Sequence, residues 1–544
     1  MLEEVVLPGY DAGVNASGVE HSRLKLQGSA DRLFAKLRRI QGRVEKSQLH
    51  SPPSSHSEDG RSPSVFADPP SMIGGTNGTI QTFHCLEEKE TWTYRCRCNF
   101  QIVRVKPTTS SSESAPTAYR YAMRSMGKPV LLGTKNSFPI ATRRIQTAMD
   151  EFMEYLNQST EHDGDQYMGA NDNEEEDLIG RNGHLTSCTF SSAWRDTPES
   201  DCVLTLHYDH PIGSDGVTKM SWKRQAHLLC QKLRLRQLNG RSKGTLLSVK
   251  GGESPKNDVN DECENNKGGD EEEATIRDTI YILQSNCEKI GSEWNVSLGN
   301  KVPPDTNETL VIPVHYDKPE TAFYHPNSNA MKTALAWMLN RLGSIPSSSP
   351  DQKLNLLEMY CGCGAHTVAL GRSGLVSNIL AVELDPRLVR ACEANLFKNS
   401  LQTLVEVRRS DAGRWAKEES RKRRSKKRGT NLANGSDAAT DDNKENYYDV
   451  LLVDPPRQGL DEEVCKMAMM TIDGEVSSSS SGGGGSKGES CFRNILYVSC
   501  GHQALLRDLE RLSPVYEVVH CAQMDLFPRT DSIETLVHLK RRGS

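Results

Sequence analysis

The chain has 544 residues, a formal net charge of −6 and a mean hydropathy of −0.60. At roughly 100–200 residues per domain this predicts two or three domains, with polar inserts diluting a smaller folded core. No stretch reaches the ~18 apolar residues of a membrane span, and the acidic start lacks an apolar signal core, so neither a membrane protein nor a secreted one is expected. The charge excludes little, because acid gathers in low-complexity runs while the candidate folded segments carry many Arg and Lys. Fifteen cysteines include no C-x-x-C pair, and Cys96/Cys98 and Cys361/Cys363 are C-x-C, too few ligands for a zinc site. Free thiols, no structural metal and no iron–sulfur cluster are therefore expected.

Residues 1–50 hold one predicted helix, 29–46, in which Leu33, Leu37, Ile40 and Val44 recur at helical spacing among Lys and Arg. Its basic face either meets phosphate or is solvated. Residues 51–79, rich in Ser, Pro and Gly, read as a linker. A folded region follows over 80–250. Strands are predicted at 92–103, 129–132, 186–193, 202–208 and 244–249, and helices at 141–156 and 222–238, around an acidic loop at 157–182. This is an α+β pattern with antiparallel character, and its Arg and aromatic residues on one sheet suit RNA bases as well as an ordinary charged face. Residues 251–276 are a Gly/Asp/Glu/Asn insert, and 277–325 a connecting segment.

From 326 to the C-terminus the chain reads as a mostly parallel α/β unit. An amphipathic helix at 329–342 leads into strand–loop–helix repeats, with strands near 356–360, 379–383, 404–407, 448–453, 494–499, 516–519 and 535–539. Inserts at 416–446 and 475–489 interrupt it. The first contains the basic run Arg421-Lys422-Arg423-Arg424-Ser425-Lys426-Lys427-Arg428, which resembles a nuclear-localisation or nucleic-acid patch. The second is a Ser/Gly linker.

The first of these strands ends in the glycine turn Cys361-Gly362-Cys363-Gly364, which lets backbone N–H groups approach a cofactor at a helix N-terminus. Glu383 ends the second strand about twenty residues on, where an acid suits ribose hydroxyls. A third glycine is missing from the turn, so a dinucleotide is the weaker choice and S-adenosylmethionine the stronger. Asp411 follows the third strand and either accepts from an adenine amine or caps a helix. Asp454-Pro455-Pro456-Arg457 forms a rigid wall poor in N–H donors, suited to a flat base. Cys500 closes the apolar strand Asn494-Ile495-Leu496-Tyr497-Val498-Ser499, as either a core thiol or a ligand-edge nucleophile.

Together, Leu356-Leu357-Glu358-Met359-Tyr360-Cys361-Gly362-Cys363-Gly364, Asp454-Pro455-Pro456-Arg457-Gln458-Gly459-Leu460-Asp461, Tyr497-Val498-Ser499-Cys500 and Phe527-Pro528-Arg529-Thr530-Asp531-Ser532-Ile533-Glu534 resemble the motifs of the RNA uracil-5-methyltransferase family. The likeness is nearest to the tRNA (uracil-54) branch. It runs from about 323 to the C-terminus, with a fainter match through 94–102, 136–139 and 222–243. The resemblance implies a Rossmann-like methyltransferase domain beside an N-terminal RNA-binding domain. It implies Cys500 as nucleophile towards uracil C6, Glu534 as general base, and Tyr360, Glu383 and Asp454 at S-adenosylmethionine. His325 and Ala365 stand where the family usually has Gln and Asn at the cofactor. Arg97 and Phe138 are implied to hold the opened RNA loop, Phe138 by stacking, while Arg457 either stabilises charge on O4 or binds phosphate.

A nucleophilic thiolate predicts a Cys500 pKa below the free value of about 8.5, and a general base predicts a Glu534 raised towards neutrality. The expected partner is tRNA, with no membrane and a monomeric chain. Methylation of ribosomal RNA, or tRNA binding without catalysis, are the alternatives. The basic run favours a nuclear location and the N-terminal helix an organelle, which leaves the compartment open.

Overall fold

The structure is a computed structural model that describes residues 17–49, 80–83, 92–105, 118–125, 128–133, 138–158, 178–180, 184–212, 216–252, 274–287, 291–298, 309–322, 324–346, 353–430, 448–470 and 492–543. The whole of the predicted linker and of the Ser/Gly insert, and most of the acidic loop and the Gly/Asp insert, lie outside these residues.

The chain opens with helix α1 (Gly18–Leu49) and the short strand β1 (Gln81–Phe83). A seven-stranded sheet follows from β2 (Arg97–Val105), β3 (Ala118–Ser125), β4 (Lys128–Leu131), β5 (Leu185–Ser192), β6 (Cys202–Tyr208), β7 (Gln237–Ser242) and β8 (Thr245–Lys250). Its order is β4-β3-β2-β5-β6-β7-β8, antiparallel except between β6 and β7. Helices α2 (Arg143–Gln158) and α3 (Gly216–Lys232) cover it, over a core of Phe100, Phe138, Phe152, Phe190 and Trp222. The predicted helix 222–238 stops at Lys232 because Leu233–Arg236 turn into β7, a strand the sequence reading missed. β3 was missed as well.

The segment read as a connection is a sheet of its own: β9 (Thr275–Cys287) lies between β10 (Gly291–Ser297) and β11 (Thr309–Pro319), all antiparallel. Helix α4 (Ser328–Gly343) starts on Asn327, whose Oδ1 accepts from the N–H groups of Asn329 and Ala330.

The C-terminal unit runs β12 (Leu354–Met359), α5 (Ala365–Arg372), β13 (Val376–Glu383), α6 (Pro386–Lys398), β14 (Val405–Arg409), α7 (Ala412–Thr430), β15 (Val450–Val453), α8 (Glu462–Ala468), β16 (Asn494–Ser499), α9 (His502–Leu512), β17 (Tyr516–Asp525) and β18 (Ile533–Arg541). The expected strand–helix alternation holds. The start of the predicted insert 416–446 is helical instead, since α7 continues through the basic run to Thr430. Sheet order is β1-β17-β18-β16-β15-β12-β13-β14, parallel from β12 to β16, with β18 antiparallel to both its neighbours. The central strands are buried on both faces, which explains their near-continuous apolar sequence.

The domain division needs one correction. Gln81–Phe83, assigned from sequence to the N-terminal domain, pairs in parallel with Ala522–Met524 and forms the edge of the C-terminal sheet. α1 packs over β1, β17 and α9 through Leu26, Ala30 and Leu33. Among the described residues no helix is long and apolar enough to cross a membrane.

Candidate active site

Strand order reverses between β12 and β15, and open α/β sheets bind ligands at that reversal, outside the carboxyl ends of the strands. Register brings the motifs to this edge. Met359 pairs with Val382 on one side and Val453 on the other, so the next residues, Tyr360, Glu383 and Asp454, end adjacent strands. Ser499 pairs with Thr535 in the antiparallel ladder, so the next residues, Cys500 and Glu534, come face to face. β18 alone runs the other way here, which brings a carboxylate from its start to the strand ends.

The glycine turn is geometrically demanding. Tyr360 has φ 64°, unusual for a bulky residue, and Gly362 and Gly364 have φ 58° and 85°. A Cβ on Gly364 would lie 2.8 Å from Cys392 Sγ, so the turn packs too closely on α6 for any side chain. Glu383 holds the turn: Oε2 accepts from the Gly362 N–H at 3.0 Å, and Oε1 from the Leu384 and Asp385 N–H groups at 2.8 and 2.9 Å. A carboxylate has about four acceptor positions, so one remains for a hydroxyl.

β11 and the segment after it floor this turn. Tyr316 donates its OH to the Ala365 carbonyl at 2.8 Å. Lys318 is buried against Asp278, with Trp194 and Tyr324 rings 3.7 and 4.4 Å from its Nζ. The His325 carbonyl accepts from Trp194 Nε1 at 2.7 Å, while its Nδ1 is buried with no hydrogen-bond partner. Burial pushes the His325 imidazole down to about 4. His366 is pushed down to about 3 by burial and then by His325, so two neutral imidazoles adjoin at the turn. Ala365 brings no polar side chain to the turn, as its departure from the expected Asn implies, and its carbonyl accepts from Tyr316. The turn, the spare Glu383 position and the orphaned His325 Nδ1 suit a ligand bearing hydroxyl and amino groups, as S-adenosylmethionine does.

On the other side of the crevice, burial pushes the Asp454 carboxyl up to about 7. Burial, then Asp454, pushes Glu534 well above the usual carboxylate range, with Arg457 opposing. Cys500 is half-buried. Burial, then Glu534 and Asp454, pushes its thiol up, and the charge of the Arg457 guanidinium counters this in part. The sequence expectation of a depressed Cys500 pKa is therefore wrong for the protein without substrate, because it took no account of two neighbouring carboxyls. Arg457 is exposed at the mouth. A Cβ on Gly501 would lie 2.5 Å from the Arg457 carbonyl oxygen, so a glycine after Cys500 lets the two loops meet. Buried Asp508 fixes the same loop, accepting from the Leu460 N–H at 2.7 Å and the Tyr497 OH at 2.9 Å.

The loop between β17 and β18 is held from the N-terminal half. Lys25 Nζ bonds Asp525 Oδ1 at 2.5 Å and the Thr530 carbonyl at 2.6 Å. Tyr94 OH donates to the Pro528 carbonyl at 3.1 Å, and Asn327 Nδ2 to the Leu526 carbonyl at 3.0 Å. Arg529, buried with φ 65°, stacks its guanidinium 3.7 Å from the Trp92 ring centroid.

The two N-terminal substrate residues fare differently from expectation. Phe138 is 1 % exposed and packs edge-on against Phe100, so no ring face is free to stack on a base. Arg97 Nη1 donates to the Ala322 carbonyl at 2.8 Å, in the segment leading to His325. Its role here is to join the N-terminal sheet to the cofactor side. Asn136 and Ser137 of the same motif lie outside the described residues. Lys25, Asp508, Lys318 and His366 were missed; only His366, two residues after the glycine turn, carried a signal in its position. Away from the crevice, His184, Asp209 and His210 bring their ligand atoms within 4.8 Å of one another, metal-ligand spacing that a search by cysteine does not find.

Residues 307–472 and 488–542 match the family model described as tRNA (Uracil-5-)-methyltransferase. Among curated relatives, a tRNA/tmRNA (uracil-C(5))-methyltransferase of Ectopseudomonas mendocina is 30% identical over 273 residues, covering 48% of this chain and 63% of that protein. The Shewanella amazonensis protein of the same description is 33% identical over 230 residues, covering 42% and 52%. The chain thus spans between half and two thirds of these relatives' lengths. A Pyrococcus abyssi tRNA (uracil-54, C5)-methyltransferase, solved with S-adenosyl-L-homocysteine, aligns at TM-score 0.44 and 12% identity over 85% of this chain and 79% of that one.

Proposed function

We propose that the chain, whose residues 307–472 and 488–542 match the tRNA (uracil-5-)-methyltransferase family model, is a member of that family and methylates C5 of a tRNA uracil, at uridine 54 of the T-loop. The observation that carries this reading is the pairing of Cys500 with Glu534, one residue beyond Ser499 and Thr535, beside a crevice built for a nucleoside cofactor. S-adenosylmethionine, when bound, supplies an electrophilic methyl on sulfur. Glu383, Tyr360, Asp454, His325 and the Ala365 backbone are the residues placed to hold it.

The chain's own groups account for the rest. Uracil C5 is a weak nucleophile. When Cys500 Sγ bonds to C6, the C5–C6 π pair moves towards O4, and C5 becomes able to take a methyl. The exposed Arg457 guanidinium, whose charge already works against the rise of the Cys500 thiol, is placed to favour both the thiolate and the charge on O4. Glu534 then takes the C5 proton, the pair re-forms C5=C6, and the thiolate leaves. The burial that raises Glu534 makes its ionised form a stronger base than a surface carboxylate.

Cys500→Ala should abolish methyl transfer to tRNA, whereas Glu534→Gln should accumulate a denaturant-resistant protein–RNA adduct. A Cys500→Ala protein with full activity would end this reading. A protein that binds tRNA but gives no heat with S-adenosyl-L-homocysteine in titration calorimetry would instead be a non-catalytic RNA binder.

A further inference from the structure

α1 places a row of cations beside the catalytic pocket. Lys25, Arg32, Lys36 and Arg39 are seven, four and three residues apart, which puts them on one side of the helix. Lys25 turns inward and grips the 525–532 loop that leads to Glu534. Further along, α1 packs on α9, whose first residue, His502, is two residues from Cys500. Arg32 and Lys36 lie close enough to His502 that their charge, after burial, helps to hold its imidazole below the usual range. Arg32 and Arg39 are exposed and Lys36 is half-buried, and no carboxylate pairs with any of the three among the described residues. The nearest acid in sequence, Asp31, accepts from Gln27 at 3.1 Å.

We propose that Arg32, Lys36 and Arg39 form a phosphate-binding rail that holds the RNA backbone next to the nucleotide delivered to Cys500. The inference rests on the methyltransferase reading and adds a binding surface to it. These residues lie outside the stretches that match the family. A base that leaves its stack costs a few kcal/mol to extrude, and fixed cations beside the pocket offset that cost by holding the flanking backbone. From Arg32 to Arg39 the rail is about 10 Å long, enough for two or three successive phosphates. Lys25 fixes the rail to the loop that carries the base-side carboxylate, so RNA on α1 is in register with the chemistry.

The test compares Arg32→Glu/Lys36→Glu and the milder Arg32→Gln/Lys36→Gln with Arg38→Glu. Arg38 follows Lys36 by two residues and so points to the other side of the helix. The probe is an unmodified tRNA transcript containing the T-arm. At 100 mM salt the Glu pair should weaken binding at least tenfold and the Gln pair severalfold, and both should flatten the log–log salt slope by about 1.5 to 2. S-adenosyl-L-homocysteine binding should stay at the wild-type value, kcat at saturating RNA should stay within about twofold, and Arg38→Glu should bind RNA like the wild type. Wild-type affinity and salt slope in both pairs, or an equal loss in Arg38→Glu, overturns the rail while leaving the methyltransferase reading intact. A wild-type protein that binds no tRNA overturns both.

Discussion

In the proposed reading Cys500 is the nucleophile, and in the free protein its thiol lies above its ordinary value. Its thiol is pushed up by burial and by Glu534 and Asp454, with Arg457 opposing. Thiolate supply should therefore limit its reactivity at neutral pH. Alkylation of Cys500 by iodoacetamide is expected to rise about tenfold per pH unit through pH 9 without levelling. Arg457→Ala should slow it at every pH, and a plateau below pH 8 would contradict this assignment of charges. Cys500 was legible in the sequence as the candidate nucleophile, from the motif around it. Its ionisation was not, because that depends on carboxyls 34 and 46 residues away (Glu534, Asp454) meeting at a strand end. The two imidazoles at the cofactor turn make a second case. His325 and His366 sit below their ordinary value, at about 4 and 3, so the unfolded chain takes up protons first as pH falls. Their contribution to stability is complete above about pH 6.5 and is lost as pH falls towards 4. Urea midpoints should therefore drop between pH 7 and 5. His325→Gln should make that drop shallower without weakening S-adenosyl-L-homocysteine binding, since an amide also donates and accepts.

At the level of elements, the periodic ones were readable and the irregular ones were not. β12, β13, β15 and β16 announce themselves as apolar runs ending in Tyr360, Glu383, Asp454 and Cys500, because strands buried on both faces need apolar side chains on both. β9 and β11 alternate and carry Arg277, Asp278, Asp317 and Lys318, which looks polar in sequence; the Lys318–Asp278 pair is buried only once Trp194 and Tyr324 close over it. The 525–532 loop is the most consequential irregular element. It has no period, and its main anchor is Lys25, 500 positions away from Asp525. Both ends of that pair are almost fully buried. Removing one charge strands the other, which typically costs about 3–5 kcal/mol. Lys25→Met should lose stability on that scale in urea unfolding, and Asp525→Asn added to it should recover part of the loss. A Lys25→Met protein as stable as the wild type would mean that the backbone carbonyls, not the ion pair, hold the loop.

The two halves of the molecule are built into one another, and the sequence concealed this because the joining pieces are short. β1 is three residues, Gln81–Phe83, with no alternation to read, yet it completes the edge of the C-terminal sheet. Residues 95 and 96 join both halves: the Arg95 N–H donates to the Ile140 carbonyl at 2.8 Å, and the Cys96 N–H to the Pro326 carbonyl at 2.9 Å. Tyr94 and Lys25 reach the loop before Glu534 from the same side. The stretches that match the family, 307–472 and 488–542, therefore leave out residues that complete the sheet edge and hold the loop before Glu534. Without the first 306 residues, β17 would show a bare edge to solvent, and the surfaces now covered by Leu26 and Leu33, each worth about 1.5–3 kcal/mol, would be open. A fragment of residues 307–544 is expected to unfold without a cooperative transition and to bind S-adenosyl-L-homocysteine at least tenfold more weakly than the whole chain. Adding residues 1–306 as a separate polypeptide should restore both, because the contacts that complete the site need adjacency in space and not in sequence. A fragment that folds cooperatively and binds at full strength would show that the N-terminal half serves RNA alone, and that Lys25 and β1 merely rest on a finished domain.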